Sequence, residues 1–119
     1  MVADSGTTSG VGRSTDPLKK TGKQSSKVFV LPDGAHATST ELAQVEHQLR
    51  EPARDMHVTP GITSASLAST GKYADAGYAS LFLDDRLEVF DLKNTKISVS
   101  REAVLRGHRC KDWLFRTPL

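Results

Sequence analysis

Apolar residues along this chain fall in short clusters separated by turn-forming residues. Residues 10–26 are rich in Gly, Ser, Thr and Lys and predict a loop. Val28-Phe29-Val30-Leu31 is a strongly β-prone run. Pro32-Asp33-Gly34 behind it predicts a hairpin turn, because Asp and Gly both tolerate positive φ. A return strand over residues 35–42 follows, with Ala37, Ser39 and Glu41 alternating against His36, Thr38 and Thr40. The hairpin has an apolar first arm and a polar second arm, which suits an element that projects from a protein rather than one that fills its core.

Residues 43–54 read both ways: Leu42, Val45 and Leu49 recur at helical spacing, but Pro52 ends the run. Met56-His57-Val58 predicts a strand stopped by Pro60-Gly61. One short helix is expected at about residues 64–76, with Ser64 as N-cap, Leu67, Ala68, Tyr73 and Ala74 facing inward, and Gly77 at the left-handed C-terminal position. Gly71 within it costs about 1 kcal/mol relative to alanine, so the helix needs tertiary support. Strands are then expected over 78–83, 87–90 and 97–99, divided by Asp84-Asp85 and Lys93-Asn94. That spacing indicates antiparallel β structure. Val104, Leu105, Trp113, Leu114 and Phe115 are the last apolar groups, and Trp113 and Phe115 are expected as core anchors.

At 119 residues the chain has the length of one domain with a single modest core. The formal charge of +2 is nearly balanced. Lys19, Lys20, Lys23 and Lys27 form a loose basic stretch without interleaved aromatic residues, so a nucleic-acid groove is not expected. Cys110 is the only cysteine, which excludes an intramolecular disulfide and leaves an idle thiol as its simplest reading. His36, His47, His57 and His108 lack metal-ligand spacing, so neither a metal nor another cofactor is expected. No apolar run approaches membrane-spanning length and no apolar leader opens the chain; an intracellular, cytoplasmic protein with no membrane partner is the expectation.

The candidate chemistry lies at the front. Asp4-Ser5-Gly6-Thr7 is an Asp-(Ser/Thr)-Gly-(small) tetrapeptide. Such a loop can hold a catalytic carboxylate rigidly, because the glycine lets neighbouring backbone approach without a Cβ clash. The same residues also make an ordinary polar turn.

Taken in order, the blocks of this chain resemble the protease domain of Copia-type (Ty1/Copia) retrotransposon polyproteins, a retropepsin-like aspartic protease family. Asp4-Ser5-Gly6-Thr7-Thr8-Ser9-Gly10-Val11 resembles the family's Asp-Ser-Gly-Ala-(Thr/Ser)-x-His-(Met/Val) opening. Val30-Leu31-Pro32-Asp33-Gly34 resembles its hydrophobic strand followed by Asp-Gly, and Met56-His57-Val58-Thr59-Pro60-Gly61-Ile62 its Val-x-Tyr-Val-Pro-Gly-Leu block. The stretch from Leu67 through Gly71 to Gly77-Tyr78 is similar to Leu-Leu-Ser-Val-x-Gln-Leu-x-x-x-Gly-Tyr, and Trp113-Leu114-Phe115-Arg116-Thr117-Pro118-Leu119 to Leu-Trp-x-x-Pro-Leu. Thr7 stands where alanine is usual and Gly10 where histidine is usual. Only Met1-Val2-Ala3 precede Asp4, where the family has further strands, so a domain shortened on its N-terminal side is expected.

The resemblance implies a mainly β, retropepsin-like half of a closed, antiparallel barrel spanning residues 1–119. It also implies an aspartic endopeptidase of a Gag-Pol polyprotein, working as a homodimer on a polypeptide substrate. Asp4, Ser5, Gly6 and Thr7 would form the catalytic loop, with the Ser5 hydroxyl bonding across the dimer axis. Phe29, Val30, Leu31, Pro32, Asp33, Gly34 and Ala35 would form the flap over the substrate. Two readings of other classes stand beside it: a catalytically inactive retroelement remnant serving as a binding module, and a small β-rich nucleic-acid binder.

Overall fold

Neighbours, as much as side-chain type, decide which segments of this chain become strands. The computed structural model describes residues 1–4 and 6–118. In chain order the elements are β1 (Val2–Asp4), β2 (Gly10–Gly12), β3 (Lys19–Gln24), β4 (Val28–Val30), β5 (His36–Thr38), β6 (Glu41–Gln44), β7 (Asp55–Val58) and β8 (Leu67–Ser69). There follow α1 (Thr70–Asp75), β9 (Tyr78–Phe82), β10 (Leu87–Asp91), β11 (His108–Arg109) and β12 (Phe115–Arg116). Among the described residues the chain is thus mainly β with one short helix.

Six strands form one sheet in the order β1-β8-β2-β7-β6-β3, and β4-β5, β9-β10 and β11-β12 are separate two-stranded units. The expected closed, antiparallel barrel half is not what forms. Among the described residues the sheet stays open, with β1 and β3 as its edges. It is also mixed, since β1 runs parallel to β8 and β2 parallel to β7. Parallel pairing needs long crossovers, and the segments between β2 and β7 supply one.

The expected loop over residues 10–26 contains two strands. In β2, a Cβ on Gly10 would fall on the Asp55 carbonyl oxygen and 2.7 Å from Met56 Sδ, so only glycine lets β2 and β7 approach this closely. The position that departs from the family's histidine is therefore one that excludes any side chain. β3 is a polar edge strand whose exposed Lys19, Lys20 and Lys23 discourage further pairing. It bulges between Lys20 and Lys23, where Gly22 takes φ +76°.

The expected return strand over 35–42 is divided. β5 ends at Thr38, and after Ser39-Thr40 the chain enters the main sheet as β6. Its predicted alternation holds across the break: Ala37 and Ser39 are buried while His36, Thr38 and Thr40 are exposed. The helix starts later than expected. Leu67, Ala68 and Ser69 pair with β1 as strand, and Ser69 is the N-cap, extended at φ −84°, ψ 111°, accepting from Lys72 N–H at 3.2 Å. Gly77 ends the helix region at φ +90°, as expected.

Val11, Ala43, Met56, Val58 and Ala68 are buried within the sheet. Ala53, Ala68, Tyr73 and Tyr78 form a cluster joined by Leu49, Ala76 and Val89. Arg50 closes this cluster: its guanidinium lies 4.3 Å from the Tyr78 ring centroid, forks onto Asp91 at 2.7 and 2.9 Å, and donates to the Ala76 carbonyl beyond α1. The expected strand over 97–99 does not form; Ile97 and Val99 are exposed and have no strand to pair with. Trp113 and Phe115 are 60% and 56% exposed rather than core anchors. Instead they flank the Arg109 guanidinium at 5.1 and 5.3 Å. No helix among the described residues is long and apolar enough to cross a membrane.

Candidate active site

Asp4 is the last residue of the edge strand β1, in register with Ser69, and is half-buried. Its Oδ1 accepts from Gly6 N–H at 2.7 Å, a local turn that fixes the carboxylate to its own loop. A Cβ at Gly6 would stand 3.2 Å from that oxygen, a tight contact that glycine avoids. Thr7 Oγ1 donates to the Ser9 carbonyl at 2.7 Å, and the Thr7 carbonyl accepts from Ser69 Oγ at 2.8 Å. Ser69 therefore caps α1 and holds the Asp4 loop with the same hydroxyl. The sequence reading missed this residue because Ser64 satisfies the local cap rule equally well; only the pairing of 67–69 with β1 separates them. Ser5 lies outside the described residues.

Lys27 Nζ donates to Ser9 Oγ at 2.6 Å and so links the base of the hairpin to the segment following Asp4. Burial of the ammonium, with Lys72 adding like-charge repulsion, lowers its pKa.

In the hairpin itself Val28 pairs with Thr38, Phe29 with Ala37 and Val30 with His36. The turn differs from the expected one with positive φ at both Asp33 and Gly34. Gly34 N–H donates to the Leu31 carbonyl at 2.9 Å, only Gly34 is left-handed (φ +86°), and Asp33 Oδ1 accepts from Ala35 N–H at 2.9 Å. Pro32 explains this: its ring fixes a negative φ at the first central position, so Asp33 takes the second and Gly34 restores the strand twist. Phe29 turns inward, its ring centroid 6.2 Å from that of His57, while Val28 and Val30 are exposed.

The Asp4 loop and this hairpin line one cleft of ≈ 370 Å³. Asp4, Gly6 and Thr7 contribute from the loop, Phe29, Val30, Leu31 and Pro32 from the hairpin, and Val11, Ile62 and Leu67 from the sheet side. A second hollow of ≈ 360 Å³ shares Leu31, Pro32 and Ile62 with it and continues past Asp33 toward Gly61 and Ser64. Gly34 and Ala35 line neither; they shape the turn. The first cleft is mostly apolar, with one carboxylate (Asp4) and one ammonium (Lys27), and the second hollow adds the Asp33 carboxylate. Among the described residues no group of three or more His, Cys, Asp or Glu is placed to hold a metal ion. Another hollow, of ≈ 260 Å³, borders Arg13, Asp16 and Ser66. Its polar groups are consumed internally: Arg13 Nη2 donates to Asp16 Oδ1 at 2.7 Å, and Ser66 Oγ donates to Asp16 Oδ2.

Comparison with protein-family models, with curated proteins and with solved structures yields no match.

Proposed function

We propose that this chain is one half of an aspartic endopeptidase of the retropepsin type, related to the proteases of Copia-type retrotransposon polyproteins. The observation that carries the reading is the shared cleft: the Asp4 loop and the β4–β5 hairpin line one mostly apolar space. Nothing in the local sequence links residue 4 to residue 30, so their meeting in one cleft supports the paired assignment of catalytic loop and flap.

Two copies of Asp4, one from each chain, form the reacting pair in this reading. Asp4 ends an edge strand, and Met1 and Val2 beside it are exposed, which leaves that margin open to a second copy. Two carboxylates at such a junction share one proton. The ionised member takes a proton from a water between them as the water oxygen attacks the scissile carbonyl, while the protonated member hydrogen-bonds the carbonyl oxygen as charge develops there. Collapse of the tetrahedral species breaks the C–N bond, and the carboxyl that took the water's proton gives it to the departing amine nitrogen, restoring the pair with its one shared proton. The hairpin covers an extended peptide and excludes water from the step. Polyprotein processing inside the cell is the setting this chemistry suits.

Incubation of the purified chain with peptides spanning polyprotein junctions, at acid pH, tests the proposal. Cleavage is expected, with inhibition by a statine-type peptide. Asp4→Asn is expected to lower kcat/KM by on the order of 10²–10⁴-fold or more. An Asp4→Asn chain that cleaves as fast as its parent refutes the assignment.

A further inference from the structure

Both legs of the β4–β5 hairpin meet the sheet at one hydrogen-bonded chain that ends on His57. Ser25 precedes β4 and Ser39 follows β5. Their hydroxyl oxygens are 2.5 Å apart, Ser25 Oγ is 2.7 Å from His57 Nδ1, and Ser39 Oγ accepts from Lys27 N–H at 2.8 Å. Ser39 is 2% exposed. Backbone bonds frame the same junction, Ser39 N–H donating to the Lys27 carbonyl at 2.8 Å and Ser25 N–H to the Thr40 carbonyl at 3.2 Å.

The proton inventory gives this chain a direction. Each hydroxyl has one proton to donate. Lys27 N–H occupies one acceptor site of Ser39 Oγ, the Ser39 proton goes to Ser25 Oγ, and the Ser25 proton goes to Nδ1. Every group is satisfied when His57 is neutral and carries its proton on Nε2. An imidazolium makes Nδ1 a donor instead. Ser25 Oγ, which has two acceptor sites, then receives both Nδ1–H and the Ser39 proton, and its own proton loses the imidazole as its acceptor. Ser25 is half-buried, and a hydroxyl proton deprived of its partner there is unfavourable, so the network opposes protonation.

The surroundings act in the same direction. Burial is the main cause that lowers the His57 pKa, Lys27 and Lys72 add to it, and Asp55 opposes them. Across the sheet His57 is in register with apolar Val11 on β2 and Leu42 on β6, and the Phe29 ring of the hairpin stands against the imidazole.

We infer that His57 is a positioning residue for the hairpin: its neutral Nδ1 holds both legs through Ser25 and Ser39, and so sets how the hairpin stands over the Asp4 cleft. The order of the hairpin does not depend on the peptidase reading; only the consequence for a bound peptide does. Acid that protonates His57 reverses the donor in the Nδ1 link, leaves the Ser25 proton without its acceptor, and so loosens the hairpin while the sheet beneath stays intact.

Nuclear magnetic resonance of the full ¹⁵N-labelled chain tests this without reading activity. Imidazole nitrogen shifts should show the Nε2–H tautomer, with a midpoint below 6.5. Amide order parameters across 28–38 should fall from about 0.85 to below about 0.6 through that same midpoint. His57→Asn places a carboxamide oxygen near the position of Nδ1, and should keep the hairpin ordered with no step in pH. His57→Leu should loosen it at every pH, with the amide order parameters of Ala43, Met56 and Val58 kept at about 0.85. An Nδ1–H tautomer, a hairpin whose order ignores the imidazole titration, or a His57→Leu hairpin as ordered as the parent's overturns the inference. Should His57→Leu fail to fold, the titration of the parent chain decides alone.

Discussion

The stretch through Asp91 and the stretch after it have similar shares of apolar residues and opposite fates. Before residue 92 nine hydrophobic residues are buried, from Val11 to Tyr78. Between residues 92 and 118 none is, although Ile97, Val99, Val104, Leu105, Trp113 and Phe115 lie there. Buried apolar area stabilises a fold and mere apolar content does not. The first region holds itself together through a sheet and a packed cluster. In the second, residues 92–95 bond back to Gly77 and Asp91. Beyond them the hydrogen bonds to the first region among the described residues come from Arg109, which donates to Asp75 Oδ1 at 2.6 Å and to the Gly71 carbonyl at 2.9 Å, between the rings of Trp113 and Phe115. The sequence cost of Gly71 inside α1 also finds a reason here, since a Cβ there would stand 3.0 Å from Arg109 Nη2.

The largest effect is expected from Met56, the largest hydrophobic side chain fully buried in the sheet. Met56→Ala should cost about 2–5 kcal/mol in urea unfolding followed by far-ultraviolet circular dichroism. A loss comparable to that of an exposed tail substitution would show that the sheet is not the source of cooperativity.

Acid separates the two regions next. Asp91 and Asp112 both have their pKa lowered from 3.8 to about 2, each chiefly by hydrogen bonds from one arginine, Arg50 and Arg116 respectively. A carboxyl depressed on folding adds stability that is complete above its unfolded pKa. That stability is lost as pH falls from 3.8 through about 2. Asp91 binds the Arg50 that closes the core cluster, so Asp91→Asn should flatten the acid limb of a melting-temperature profile. Asp112→Asn should leave that limb unchanged, because its pair with Arg116 ties β12 only to the turn before it.

Arg109→Leu should have the smallest effect on global stability, under about 1 kcal/mol, since it removes a partly exposed pair and two cation–π contacts. It should nevertheless collapse the dispersion of the amide signals of residues 108–116. Unchanged tail signals would mean that other contacts dock this region.

What could be read in the sequence was what local chemistry decides. Pro32-Asp33-Gly34 marks the place of a hairpin turn though not its type, Gly77 its own left-handed site, and Asp84-Asp85 its own hairpin, because each answer lies within four residues. β2 and β3 were hidden: Gly10 and Gly12 carry no β signal and are strands because β7 presses against them, and the lysines of β3 mark a solvent-facing edge. Ser64 and Ser69 compete equally as caps until the pairing of 67–69 with β1 decides. Trp113 and Phe115 read as core anchors and are not: both are exposed beside Arg109, a contact that no local pattern announces. The Ser25–Ser39–His57 chain joins residues up to 32 positions apart, and no periodicity carries that information.

Titration of the ¹⁵N-labelled chain with a statine-type peptide tests the central claim most directly. The account predicts that Gly6 and Thr7 shift together with Phe29, Val30 and Leu31, saturating at one peptide per two chains, while residues 92–118 stay still. Shifts confined to the exposed apolar tail, or none at the Asp4 loop, would contradict it.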